Sequence, residues 1–225
     1  MFRAIVPVAL ALTVAGTTSA GSIVEPFIET FDSNAAGWTN FNGASALEWF
    51  PSGGPNDSAY ASGTYNLQNA SGFFPPVVLR AEDGSDASGD ALVGDWIASG
   101  IVGFTLDIRH DLDQPLTIFG RFATPQNNPG ASAFSSITVE PNTWTTVVFD
   151  VTEDSTDIIS FGSGDYQSIF SNIGNVQLGF EVPQGLAGQD IPVRVDIDNA
   201  GVVIPSPGGV ALLSIASVGL LRRRR

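Results

Sequence analysis

Through the middle of the chain, apolar and polar positions alternate with a period of two. Val102, Phe104, Leu106 and Ile108 alternate with Gly103, Thr105, Asp107 and Arg109, as expected of a strand with one face buried. Val176, Leu178, Phe180 and Val182 repeat the pattern, and so do Ile191, Val193, Val195 and Ile197. Leu116, Ile118 and Phe122 alternate around Thr117 and Arg121, while Val147, Phe149 and Val151 form the apolar face of a strand entered near Trp144. Shorter strands are predicted over 27–31, 47–50, 59–65, 74–80 and 137–140. Gly, Pro, Asn and Asp cluster between them at 51–57, 83–90, 125–130 and 183–190, marking turns. Only 165–173, with Tyr166, Ile169, Phe170 and Ile173, shows helical spacing. Roughly ten strands and almost no helix predict an all-β fold, an antiparallel β-sandwich.

The two ends do not follow this pattern. Met1-Phe2-Arg3, the apolar run 4–14 and Thr18-Ser19-Ala20 have the order of a secretory signal peptide over 1–20. At the other end, Pro205-Ser206-Pro207 leads into an apolar stretch that stops at Arg222, Arg223, Arg224 and Arg225. As a helix, 208–221 would span about 21 Å, short of the roughly 30 Å hydrocarbon core, and its arginines would stay on the cytoplasmic side. These three parts of 204–225 resemble the C-terminal sorting signal of PEP-CTERM proteins, with Ser206 where that family shows glutamate. The resemblance implies an exosortase-type transpeptidase and the secretion machinery as partners. It further implies a transient membrane anchor and delivery to the cell surface, outer membrane or extracellular matrix. A plain C-terminal membrane anchor is the other reading of the same residues. The body is then a single domain over 21–203, long enough for a full core.

Charge narrows the partners. All 23 acidic residues lie in the body against four arginines, a balance of −19, and the chain contains no lysine. Nucleic acid is excluded as a partner, because phosphate binding needs clustered basic residues. The absence of cysteine rules out disulfides and thiolate metal sites. Such a body attracts divalent cations.

Several stretches together resemble the laminin IV-type (laminin B) module, a jelly-roll relative of galactose-binding and carbohydrate-binding domains. They are Phe31-Asp32 through Gly37-Trp38, then Trp49 with Gly53-Gly54-Pro55-Asn56, and Leu92-Val93-Gly94-Asp95-Trp96 followed by 103–109. The segments 144–151, 166–173 and 195–202 complete the likeness. It implies a jelly roll with a non-catalytic carbohydrate-binding-like module. By the same resemblance, calcium would be held by Glu29 in the first strand and Asp198 in the last, with Asp196 beside it, since hard oxygen ligands suit that ion. The strand pattern equally allows Asp196 and Asp198 to point to solvent. Trp49 and Tyr60 flank the Gly-Pro-Asn turn as a sugar platform, because a ring face can lie against a pyranose; packing is the other role for each.

Catalysis has little support. The sole histidine, His110, follows a strand and reads as a solvated loop residue, and no Gly-x-Ser-x-Gly elbow is present. Carboxylates are abundant without the closely spaced alternating run of sandwich glycosidases. The acidic loop 82–90 lacks EF-hand spacing. Two functions lead, a glycan-binding module or an acidic calcium-binding matrix protein without sugar specificity, with a jelly-roll polysaccharide hydrolase or lyase behind them.

Overall fold

The structure, a computed structural model, describes residues 22–205 apart from Phe73. The expected signal peptide, Ser206, Pro207, the tail helix and Arg222 to Arg225 lie outside the described residues. Pro205 ends them in an exposed coil. Among the described residues, no helix is long and apolar enough to cross a membrane.

Among the described residues, twelve strands and one short α-helix follow in order: β1 (Ile28–Glu29), β2 (Thr39–Asn40), β3 (Glu48–Phe50), β4 (Tyr60–Asn66), β5 (Val77–Glu82), β6 (Gly103–His110), β7 (Leu116–Ala123), β8 (Gly130–Val139), β9 (Thr145–Asp150), β10 (Ile158–Phe161), α1 (Tyr166–Phe170), β11 (Asn175–Phe180) and β12 (Pro192–Val203). They form two antiparallel sheets. The first has the order β3-β4-β12-β6-β9, with β1 paired to β12; the second has the order β10-β8-β7-β11-β5-β2. Neighbours in these sheets are mostly distant in sequence, as in a jelly-roll sandwich.

The alternation places one side of each strand in the core. Phe104, Leu106 and Ile108 of β6, Val193, Val195 and Ile197 of β12, and Val176, Leu178 and Phe180 of β11 are buried between the sheets. Trp96, Phe104, Phe122, Phe149 and Phe170 join as an aromatic centre with ring centroids 5.4–6.4 Å apart, favourable tilted and edge geometries included. The helical turn forms where its spacing predicted it. Asp165 accepts from the Ser168 amide while the Ser168 side chain pairs back with the Asp165 backbone, a capping box.

Three departures have physical causes. β8 starts at Gly130 rather than near Ile137, because Gly130-Ala131-Ser132-Ala133 is built of small residues that hide the alternation. β10 and the two-residue β2 are edge strands, too short to show a period. His110 is not solvated: it is 1 % exposed, and its Nε2 lies 3.0 Å from the Val139 carbonyl oxygen, because β6 continues one position further and turns its ring into the core.

Irregularities in the ladders matter for the surfaces. In β12 an extra residue sits between Asp198 and Gly201 relative to β6, with Asn199 in the left-handed region at φ 50°. This is a bulge. β8 carries additional residues opposite the step from Thr117 to Phe119, and β5 one opposite the step from Leu178 to Gly179.

Candidate functional site

The outer face of the second sheet carries a groove of about 500 Å³. On its floor, β7 places Phe119 opposite Phe134 of β8, ring centroids 6.0 Å apart. β10, paired to β8, adds Ile159 and Phe161 on the same side, since Ile159 opposes Ser132 and Phe161 opposes Gly130. Phe74, Pro75 and Val77 lead into β5 and form the other wall. Phe74 is 81 % exposed and Ile159 61 %, a large apolar display in one place.

Glycine makes this floor possible. A methyl group on Gly179 of β11 would overlap the Pro76 carbonyl oxygen and the Phe119 ring, so only glycine lets that ring lie across the strand. Gly130 does the same for Phe161, whose ring edge occupies the space a side chain would need. Both rings are therefore seated on backbone: Phe119 is buried in the floor at 4 % exposure, and Phe161 is half-buried.

A polar network borders the rings. Arg121 of β7 donates from Nη1 to Asn127 Oδ1 at 2.6 Å and to Gln177 Oε1 at 2.5 Å, and from Nη2 to the Asn127 carbonyl at 2.9 Å. Its guanidinium lies 4.5 Å from the centre of the Phe161 ring, a cation–π distance. Gln177 Nε2 in turn donates to Glu82 Oε1 at 2.6 Å, which also receives Arg80 Nη1 at 2.7 Å. Asn127 reaches this position from a turn at φ 62°, a conformation asparagine tolerates. Burial, followed by the nearby Arg80, lowers the Arg121 guanidinium from its ordinary value while Glu82 acts the other way; it remains a cation at neutral pH. Arg121 and Ser132 are the polar members of the groove lining, and no carboxylate belongs to that lining among the described residues.

The residues singled out from the sequence lie elsewhere, on and around the first sheet. Trp49 opposes Ala61 and Phe50 opposes Tyr60, so Trp49 and Tyr60 project from opposite faces of the same hairpin. Trp49 is 37 % exposed and donates Nε1–H to the Phe31 carbonyl at 2.6 Å. Tyr60 is only 5 % exposed. Phe50 stacks on it at 4.9 Å, Trp144 meets it edge-on at 5.6 Å, and Arg109 and Arg194 lie within 5.7 Å of its ring centre. Its hydroxyl accepts from Arg194 Nη2 at 2.6 Å. These contacts occupy the ring faces that a sugar would need.

Asp196 and Asp198 alternate along β12 on the outer face of that sheet, yet both are buried. Asp196 is held by two arginines: Arg109 bonds Oδ2 through Nε and Nη2 at 2.9 and 2.7 Å, and Arg194 Nε bonds Oδ1 at 2.7 Å. Asp198 is 0 % exposed. Its Oδ1 accepts from the Asn199 amide at 2.7 Å and its Oδ2 lies 2.6 Å from Ser58 Oγ. Burial, then the charges of Asp107 and Asp32, raise the Asp198 carboxyl above the ordinary aspartate range, and the hydrogen bonds from Ser58 and Asn199 oppose this. Ser58 Oγ is also 2.8 Å from the Pro55 carbonyl oxygen. A hydroxyl has one proton; if it goes to Pro55, the carboxyl must donate to Ser58, which is the neutral form that burial favours.

Glu29 opposes Ala200 at the edge of β12, and its Oε1 accepts from the Phe31 amide at 2.9 Å. It lines an acidic cleft of about 400 Å³ with Asp32 and Asp86. Among the described residues, no group of three or more His, Cys, Asp or Glu side chains is arranged to hold a metal ion. In this arrangement Asp196 is bonded by two arginines, and Asp198 by Ser58 and the Asn199 amide.

The groove rings went unrecognised because each resembles a core residue in one dimension. One local signal existed. Phe119 falls out of phase with Leu116, Ile118 and Phe122, so a strand that buries those three must show Phe119 on its other face.

No protein-family model matches the chain, and no curated protein matches it in sequence. Solved structures do resemble it. An exo-β-agarase superposes over 81 % of this chain and 26 % of its own, with a TM-score of 0.50 and 14 % identity. Two modules, a family 22 carbohydrate-binding module and a family 10 glycoside hydrolase, of a Clostridium thermocellum endo-1,4-β-D-xylanase complexed with xylohexaose, match over 81 % of this chain and 29 % of theirs, at 0.49 and 13 %. A family 11 carbohydrate-binding module of a C. thermocellum cellulosomal cellulase matches over 82 % of this chain and 97 % of its own, at 0.45 and 10 %. The chain thus spans less than a third of the agarase and of the xylanase modules. Such identities bear on fold alone, and the fold is the β-sandwich described above.

Proposed function

We propose that this chain is an exported, non-catalytic glycan-binding module that holds its ligand in the groove on the outer face of the second sheet. The observation that carries this reading is the apolar face made by exposed Phe74 and Ile159 and half-buried Phe134 and Phe161, laid over the buried Phe119 ring and beside the Arg121 network. Ring faces pack against the C–H faces of pyranoses, and a few polar groups at the border fix orientation. With no carboxylate in the described lining, the two-carboxylate hydrolysis of glycosides has no residues there to perform it. The resemblance of the ends to a signal peptide and a sorting tail supports delivery to the cell surface or matrix by exosortase-type processing.

The test is retention of the purified chain on a panel of polysaccharides, followed by calorimetry on whichever is bound. Phe74→Ser and Ile159→Ser change exposed side chains, leave the core intact and are expected to weaken binding at least tenfold each, about 1.4 kcal/mol. Trp49→Ser, on the first sheet, is expected to leave binding unchanged. The reverse pattern would move the site to the hairpin of β3 and β4.

A second reading rests on the body charge of −19: an acidic matrix protein that binds cations without sugar specificity. It expects no saturable glycan binding and a stability that depends on calcium.

A further inference from the structure

We infer that the glycan held in this groove carries a carboxylate, as a uronic acid does, and that the carboxylate seats on Arg121. The inference rests on the glycan-binding reading above and specifies its ligand. The body has four arginines. Arg80 is paired with Glu82, and Arg109 and Arg194 share Asp196. Arg121 alone has no carboxylate partner among the described residues, in a chain with 23 carboxylates to choose from. Its acceptors are neutral: the Asn127 and Gln177 side-chain oxygens and the Asn127 carbonyl.

The nearest acid, Glu82, reaches Arg121 only through Gln177 and is itself paired with Arg80, so this half-buried cation has no carboxylate bonded to it directly, an arrangement that a bound anion would improve. Arg121 is also positioned to receive one, because it belongs to the groove lining rather than to the core. Three of its five N–H groups have acceptors in the described structure, which leaves Nε–H and one Nη2–H. A planar fork of this kind matches the two oxygens of a carboxylate. The guanidinium carbon lies 4.5 Å from the centre of the Phe161 ring, so a sugar lying in the groove against half-buried Phe161 would have a ring substituent within reach of it. Repulsion from body carboxylates farther than about 8 Å is largely screened at physiological salt, and Glu82, the acid linked to this network, is offset by Arg80. The contact pair lies within that distance.

An open groove on a sheet face suits an extended chain that passes over it. An acyl carboxylate is the competing occupant, since it would also combine an apolar body with one anionic end.

The experiment compares a glucuronate-containing oligosaccharide with the same oligosaccharide after carboxyl reduction, by calorimetry on the full chain, with decanoate as a further probe. The unmodified protein is expected to bind the uronate form at least tenfold more tightly than the reduced form. Arg121→Gln is expected to bind the two forms equally, and Arg121→Lys to recover part of the preference. The comparison on the unmodified protein stands even if a variant misfolds. Equal binding of both forms by the unmodified protein would overturn this inference and leave the glycan-binding reading intact. Binding of neither form nor of any panel glycan would remove both. Decanoate binding without binding of the uronate would replace the sugar acid by an acyl acid and overturn the inference.

Discussion

Replacing Asp198 by asparagine separates a shared proton from a bound cation at the most buried carboxyl of β12. In the native chain this carboxyl is fully buried, 2.7 Å from the Asn199 amide and 2.6 Å from Ser58 Oγ, which is itself 2.8 Å from the Pro55 carbonyl. An amide keeps the first bond through Oδ1 and donates from Nδ2 to Ser58, freeing the hydroxyl proton for Pro55. One satisfied hydrogen bond is worth about 0.5–1.5 kcal/mol, and the cost of burying an ionised group disappears. Asp198→Asn is therefore expected to stabilise the fold by about 1 kcal/mol at pH 7, or about 2–4 °C in Tm for a domain of this size. The pH dependence has a definite sign. The folded carboxyl is raised, chiefly by burial, so its contribution is fully present below the unfolded value of about 3.9 and is lost as pH rises through the folded one. The gap between variant and native chain should be absent near pH 3 and open toward neutrality. Thermal unfolding from pH 3 to 8, with and without millimolar calcium, measures it. If the native chain gains stability in calcium, as mass action requires of a ligand bound only by the folded state, and Asp198→Asn abolishes that gain while destabilising at pH 7, the proton argument fails and Asp198 is a metal ligand.

Two further outcomes test the surfaces around this core. Gly179→Ala forces a methyl into the Pro76 carbonyl and the Phe119 ring; overpacking of this kind costs about 1–3 kcal/mol, and glycan affinity should fall with it. Gly84→Ala, where nothing lies within 4 Å of the added atom, should change neither, and an unchanged melting curve for Gly179→Ala would refute the seating of the ring. Asp196→Ala leaves Arg109 and Arg194 without their carboxylate; since both arginines are partly exposed, the loss is expected near 1–2 kcal/mol rather than the 3–5 of a fully buried pair. Urea unfolding checks this, and no shift in midpoint would show that the triad contributes nothing to stability.

The sequence by itself determined the sandwich. Period-two alternation in 102–109, 176–182 and 191–197 is a local property, legible because burying one face of a strand requires every second residue to be apolar, wherever its partners lie. The helical turn at Asp165 was legible for the same reason, since a cap and its spacing are written within a few residues. Tertiary structure decided which residues outside the core meet. Trp49 and Tyr60 are both aromatic neighbours of one turn, but cross-strand register puts them on opposite faces. Phe119, Phe134 and Phe161 come from three strands, and their alignment depends on the residues inserted in β8 and on glycines at 130 and 179 that leave room for the rings. Arg121 shows the same division: its charge is in the sequence, while its lack of a carboxylate partner arises only from what folding brings beside it. Core formation selects residue type at each position, whereas a surface site requires particular side chains from distant segments to converge, and that convergence is fixed by register and close packing rather than by any local pattern.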